Sequence, residues 1–152
     1  MQGASQFAIK LSSGELSVRD ALEQLKRGLS PIGLSNDDLA SVEVVLGEVL
    51  NNIVEHAYGR SKEGEISISC VPRPFVLRFS VEDEGAALPD EQLPEGELPC
   101  LQGPLETLPE GGFGWYLVRN LSFDLKYQRV GQRNVLAFSI PVEGKGQCPS
   151  EY

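Results

Sequence analysis

The stretch LGEVLNNIVEHAYG, residues 46–59, carries two messages at once. Leu46, Val49 and Ile53, extended by Leu39, Val42 and Ala57, recur at three- and four-residue steps. Those steps put side chains on one side of an α-helix and give it a face to bury. Glu48 and Asn52 lie four apart, so they leave successive turns in the same direction, on a polar arc shared with Glu43, Asn51, Glu55 and His56. A carboxylate and a carboxamide placed this way suit a solvated helix face. The functional reading is nucleotide chemistry, in which an amide oxygen ligates Mg²⁺ while the glutamate orients or deprotonates a hydroxyl. His56 has no acidic or cysteine companion at triad spacing and reads as helix-face structure.

Working outward, Ser35 with Asp38 three residues on resembles an acidic capping box, so this helix is expected from Ser35 to about Tyr58. The break SPIGLSN separates it from an earlier helix, opened by Ser13 and carrying Val18, Ala21, Leu22, Leu25 and Leu29. Gln6 to Leu11 alternates loosely enough to be a first strand. Downstream, the turn GRSKEG leads to two β-rich runs, Glu65 to Val71 and Phe75 to Asp83, separated by Pro72-Arg73-Pro74. They read as a hairpin ending in the acidic turn Asp83-Glu84-Gly85. Asp83 suits either a plain strand-terminating turn or an acceptor for an exocyclic amine at the rim of an apolar pocket.

From Phe79 to Val118 the chain has no Lys, Arg or His, while nine acids fall between Glu82 and Glu110. Prolines recur at 89, 94, 99, 104 and 109, four of them preceded by Leu88, Leu93, Leu98 and Leu108. A period of five fits neither helix nor strand, so residues 86–111 are expected to be a loop, a lid whose leucines can dock. The run EGGFGWYLVRNL then places Gly111, Gly112 and Gly114 ahead of a helix from Trp115 to about Leu121. Glycines there bring backbone N–H groups close to an anion, or simply begin a helix after a loop. Trp115 and Tyr116 read as core rather than as a ligand platform. Phe123 to Val130 and Asn134 to Val142 form a final hairpin across Gly131-Gln132-Arg133, and residues 144–152 are a polar tail expected to fray.

With 152 residues, 41% of them hydrophobic and 23% charged, the chain is expected to form one domain over residues 1–152. The net charge of -9 argues against direct nucleic acid binding, which needs Lys and Arg on phosphates, and suits a basic protein partner instead. Cys70, Cys100 and Cys148 are far apart and accompany a single histidine, which argues against a disulfide framework and a zinc site. No basic leader with an apolar stretch and no long apolar run is present, so a cytoplasmic protein that does not enter the membrane is expected.

The order of these signals is more specific than any one of them. LGEVLNNIVEHAYG, then VEDEGAALPD, then GGFGWYLVRNLSFDLKYQRVGQRNVL resembles the GHKL ATPase superfamily, and within it the bacterial anti-sigma-factor serine/threonine kinases. The likeness runs from about Leu11 to Val142. It implies an α+β two-layer sandwich, with about five strands in a mixed, mostly antiparallel sheet and helices on one face. It also implies Mg-ATP between the helices and the lid. By position, Glu48 is implied as the catalytic base, Asn52 as the Mg²⁺ ligand, Asp83 as the adenine-binding acid, and Gly85, Gly112 and Gly114 as backbone nucleotide contacts. Ala87 stands where the superfamily often has a second glycine, and the acidic lid leaves the γ-phosphate to Mg²⁺, backbone N–H groups and Arg60, Lys62 or Arg119. The implied activity is phosphorylation of a small anti-anti-sigma (STAS-like) protein. A sigma factor is the alternative partner in a partner-switching homodimer. A nucleotide-gated binding module with little phosphotransfer is the other reading.

Overall fold

A computed structural model describes residues 7–12, 15–58, 64–94 and 112–143. Its strands are β1 (Phe7–Ser12), β2 (Glu65–Arg73), β3 (Val76–Asp83), β4 (Phe123–Val130) and β5 (Arg133–Pro141). Its helices are α1 (Glu15–Leu29), α2 (Asn36–Asn52) and α3 (Gly112–Leu121). The strands form one sheet in the order β1-β2-β3-β5-β4. Every pairing in it is antiparallel, where a mixed but mostly antiparallel sheet was expected. Each sequence-adjacent pair β2/β3 and β4/β5 is a tight hairpin, and tight hairpins can join only antiparallel strands.

Strand alternation decides which face is covered. Ile66, Ile68 and Cys70 of β2, Leu77, Phe79 and Val81 of β3, and Leu136, Phe138 and Ile140 of β5 are buried. They share one core with Val18, Ala21, Leu25 and Leu29 of α1 and with Val42, Val45, Leu46, Val49 and Leu50 of α2. Residues of opposite phase, such as Ser67, Ser69, Arg78 and Ser80, are half-buried or exposed, so the helices cover one side of the sheet only. Phe79 and Phe138 stack at 5.4 Å across the central β3/β5 pair.

Local chemistry sets the element ends. The Ser35 hydroxyl accepts the Asp38 N–H at 3.0 Å and starts α2, as the capping pattern predicts. The Asp38 carboxylate does not return to Ser35; it is buried and accepts the Glu143 N–H at 3.0 Å, tying the chain after β5 to the start of α2. Beyond Asn52 the helix continues to Tyr58 as a π-helical segment, Ile53–Tyr58, so the predicted length holds but the hydrogen-bond ladder changes. β2 runs two residues past the predicted stop at Val71. Pro72 pairs with Leu77 of β3, whereas the β1 pairing ends at Cys70, so among the described residues Pro72 is flanked by one strand and its missing N–H is tolerated. In the β4/β5 hairpin Val130 pairs with Arg133 and Gly131 takes φ 62°, a conformation glycine adopts without steric cost.

Part of the predicted lid is described. Residues 86–94 contain one short 3₁₀ turn, Pro89–Glu91, and Leu93 packs against the core. Residues 95–111, with Cys100, and the tail 144–152, with Cys148, lie outside the described residues. No helix among the described residues is long and apolar enough to cross a membrane. Leu46 is fully buried, so Leu46→Ala removes a core side chain and leaves a cavity. Denaturant unfolding should show a loss of about 2–5 kcal/mol.

Candidate active site

The inner faces of β3 and β5 each run apolar until their last position at one end of the sheet. Leu77, Phe79 and Val81 lead to Asp83, while Ile140, Phe138 and Leu136 lead to Asn134. The antiparallel register sets Asp83 opposite Asn134, and each is 5% exposed. Asp83 Oδ1 accepts the Gly85 N–H at 2.8 Å and an Asn134 Nδ2 hydrogen at 2.9 Å. Burial pushes the Asp83 carboxyl upward, and the Asn134 and Gly85 hydrogen bonds and the nearby Arg129 guanidinium partly oppose it.

The next strand completes the network. Tyr127 and Arg129 of β4 stand opposite Leu136 and Asn134. The Tyr127 hydroxyl donates to Asn134 Oδ1 and accepts the Leu88 N–H at 3.1 Å. Arg129 donates to Asn134 Oδ1 at 3.0 Å and to the Gly85 carbonyl at 2.7 Å. The β4/β5 hairpin therefore grips the loop that follows Asp83.

A cavity of about 520 Å³ opens beside this network. Val49, Asn52 and Ile53 of α2 line one side, Trp115 of α3 another, and Asp83, Ala87, Leu88, Tyr127 and Leu136 contribute to the rest. The wall is mostly apolar with a few polar groups, the usual character of a small-molecule site. Asn52 and Asp83, chosen from sequence, meet in it. Trp115 also lines it, a correction to its reading as core alone: it is half-buried and touches both core and cavity. Ala87 lines the same space.

Glu48 lies one turn before Asn52, half-buried and apart from the cavity lining. A side chain added to Gly114 would meet Glu48 Oε1 at 2.5 Å, so the bare glycine is what lets α3 approach the carboxylate. The helix starts at Gly112, three residues ahead of the predicted Trp115, because these glycines form its first turn. Gly85 has its N–H on Asp83 and its carbonyl on Arg129 and Asn134, so both backbone groups are engaged within the protein rather than directed to a ligand. Of the cations considered for phosphate, Arg119 donates to the Pro94 carbonyl at 2.9 Å, and Arg60 and Lys62 lie outside the described residues.

Asn134, Tyr127 and Arg129 escaped the sequence reading. A signal was present: an Asn in phase with Leu136, Phe138 and Ile140 is a polar residue on an apolar face, and such a residue needs partners.

The sequence profile of the histidine kinase-like ATPase domain matches residues 12–140. The chain belongs to that family. It is 30% identical over 96 residues to the serine-protein kinase RsbW of Oceanobacillus iheyensis, covering 62% of this chain and 61% of that protein. It is 30% identical over 100 residues to the serine-protein kinase RsbW of Bacillus licheniformis, covering 65% and 62%. The match thus spans about three fifths of these relatives' lengths. A solved structure of RsbU and RsbW domains from Mycobacterium tuberculosis superposes with a TM-score of 0.63 at 18% identity, over 91% of this chain and 32% of that one. The family expected from the motif order and the α+β architecture both hold.

The folded Asp83 pKa is raised, so below its unfolded value of about 3.9 both states are protonated and burial costs nothing; stability then falls as pH rises through the folded pKa. Asp83→Asn escapes that loss, and its melting temperature relative to wild type should climb between pH 3.5 and 7. In Gly114→Ala the new methyl displaces the flexible end of Glu48 while α3 gains about 1 kcal/mol in helix propensity. Folding should survive in a thermal melt, and any turnover in which Glu48 takes part should drop at least about tenfold in an activity assay.

Proposed function

We propose that the chain is an ATP-dependent protein serine/threonine kinase of the anti-sigma-factor type. One observation carries the reading: Asn52 from α2 and Asp83 from β3 line the same apolar cavity, a carboxamide for the phosphate end of a nucleotide and a carboxylate for its base. In this reading the apolar wall buries adenine and Asp83 accepts from its exocyclic amine. Asn52 holds Mg²⁺ through its side-chain oxygen, and the N-terminal backbone of α3 at Gly112 and Gly114 receives phosphate. Bound Mg²⁺ supplies charge neutralisation on the phosphates. Among the described residues no three His, Cys, Asp or Glu gather into a metal site. That suits a metal held largely by substrate oxygens and few protein ligands. Glu48 orients or deprotonates the acceptor hydroxyl.

The relatives' names, serine-protein kinase, support the activity. The acceptor is then a serine or threonine on a small anti-anti-sigma (STAS-like) protein. A sigma factor competes for the same kinase, which acts as a cytoplasmic homodimer and regulates transcription by partner switching. A second reading, a nucleotide-gated binding module with little phosphotransfer, draws on the position of Glu48 outside the cavity lining, against Gly114.

Trp115 is the only tryptophan in the chain and lines the cavity, so its fluorescence reports occupancy. ATP should change that signal with an affinity that requires Mg²⁺ and falls at least tenfold in Asn52→Ala and in Asp83→Asn. Transfer of labelled phosphate to an anti-anti-sigma protein should drop about 10²–10⁴-fold in Glu48→Gln while ATP still binds. ATP binding with no transfer by the wild type would replace the kinase with the binding module. No ATP binding by the folded wild type would remove both.

A further inference from the structure

The two oxygens of Asp83 are in different situations. Both hydrogen bonds that the described residues give this carboxylate fall on Oδ1, from Gly85 and Asn134. Asp83 lines the cavity, and no fully buried side-chain oxygen among the described residues lacks a partner, so Oδ2, which takes neither of these bonds, is not sealed in the core.

Asn134 creates this asymmetry and has no freedom to reverse it. Its Nδ2 faces three acceptors, Asp83 Oδ1 at 2.9 Å, the Ala86 carbonyl at 3.0 Å and the Gly85 carbonyl at 3.3 Å. Its Oδ1 faces two donors, the Tyr127 hydroxyl and Arg129. A flipped amide would set its NH₂ against the guanidinium and its oxygen against the Asp83 carboxylate, so the neighbours define one orientation. Asn134 itself lines the cavity, but all of its hydrogen-bonding capacity is used within the protein, which leaves none for a ligand. Asn134 therefore acts through Asp83.

We propose that Asn134, oriented by Tyr127 and Arg129, is the positioning residue that sets the base preference of this site: it occupies Asp83 Oδ1 and leaves Oδ2 as a bare acceptor, selecting a base with an exocyclic amino group. The proposal rests on the nucleotide reading above. It assigns to the β4/β5 hairpin a function beyond closing the sheet. Tyr127 is the second arm of the same device, because its hydroxyl joins Asn134 to the Leu88 N–H and so fixes the loop on which the cavity wall is built.

The test compares ATP with purine riboside triphosphate, which lacks the amino group, by Trp115 fluorescence in wild type, Tyr127→Phe, Asn134→Ala and Asp83→Asn. A hydrogen bond to a charged group corresponds to roughly a 10- to 100-fold preference, and the wild type should favour ATP by that much. In Tyr127→Phe the preference, read as the ratio of the two affinities, should fall at least threefold, and in Asn134→Ala it should approach one. Tyr127→Phe loses a single hydroxyl, so it decides the matter if Asn134→Ala does not fold. Equal losses for both nucleotides, with the preference intact in a folded variant, would make the network merely structural and overturn the proposal. A wild type that binds both nucleotides equally, unaffected by Asp83→Asn, would overturn it and leave nucleotide binding standing. A folded wild type that binds neither would overturn the nucleotide reading as well.

Discussion

The register of β3 against β5 is the constraint on which the rest of the molecule depends. It sets Leu77 beside Ile140, Phe79 beside Phe138, Val81 beside Leu136 and Asp83 beside Asn134. The first three pairs build the floor of the core, and the fourth sits at its rim. A slip of one residue would send every one of these side chains to the open face, so the pressure to bury the apolar set also holds the polar pair in place. Core and site are thus specified by one interaction. The burial of Asp83 that raises its pKa comes from the same packing.

The second organising contact is between α2 and α3. Gly114 presents no side chain to α2, and the space is taken by the Glu48 carboxylate. Close approach of the two helices brings Trp115 to the side of a cavity whose other wall is Val49, Asn52 and Ile53. Immediately after Asn52 the α2 ladder widens into the π-helical Ile53–Tyr58. The candidate residues on this helix therefore sit where regular structure ends, a frequent location for functional π segments.

Much of this was legible in the residues. The four-residue step from Glu48 to Asn52, the apolar alternation before Asp83 and the glycines ahead of Trp115 each have a local cause, and their order named the family. The cap at Ser35 was also legible, because the pattern needs only neighbouring backbone. The other half of that cap was not: Asp38 found its partner at Glu143, a contact formed only once the sheet and helices have packed. Pro72 reads as a strand breaker locally, yet it is tolerated past Cys70, the last β2 residue that pairs with β1 among the described residues.

Periodicity, capping and turn chemistry act over a few residues, and those short-range rules were enough to lay down three helices, five strands and the positions of Glu48, Asn52 and Asp83. Packing settled the rest. Whether Trp115 meets core or cavity, whether the Gly85 backbone is free, and which residues restrain Asp83 depend on groups distant along the chain, such as Tyr127, Arg129 and Asn134. No local rule can pair residues about fifty positions apart. The sheet register does so, because burying the apolar side chains gathers these polar groups at one rim, where they satisfy one another and the backbone of the loop after Asp83.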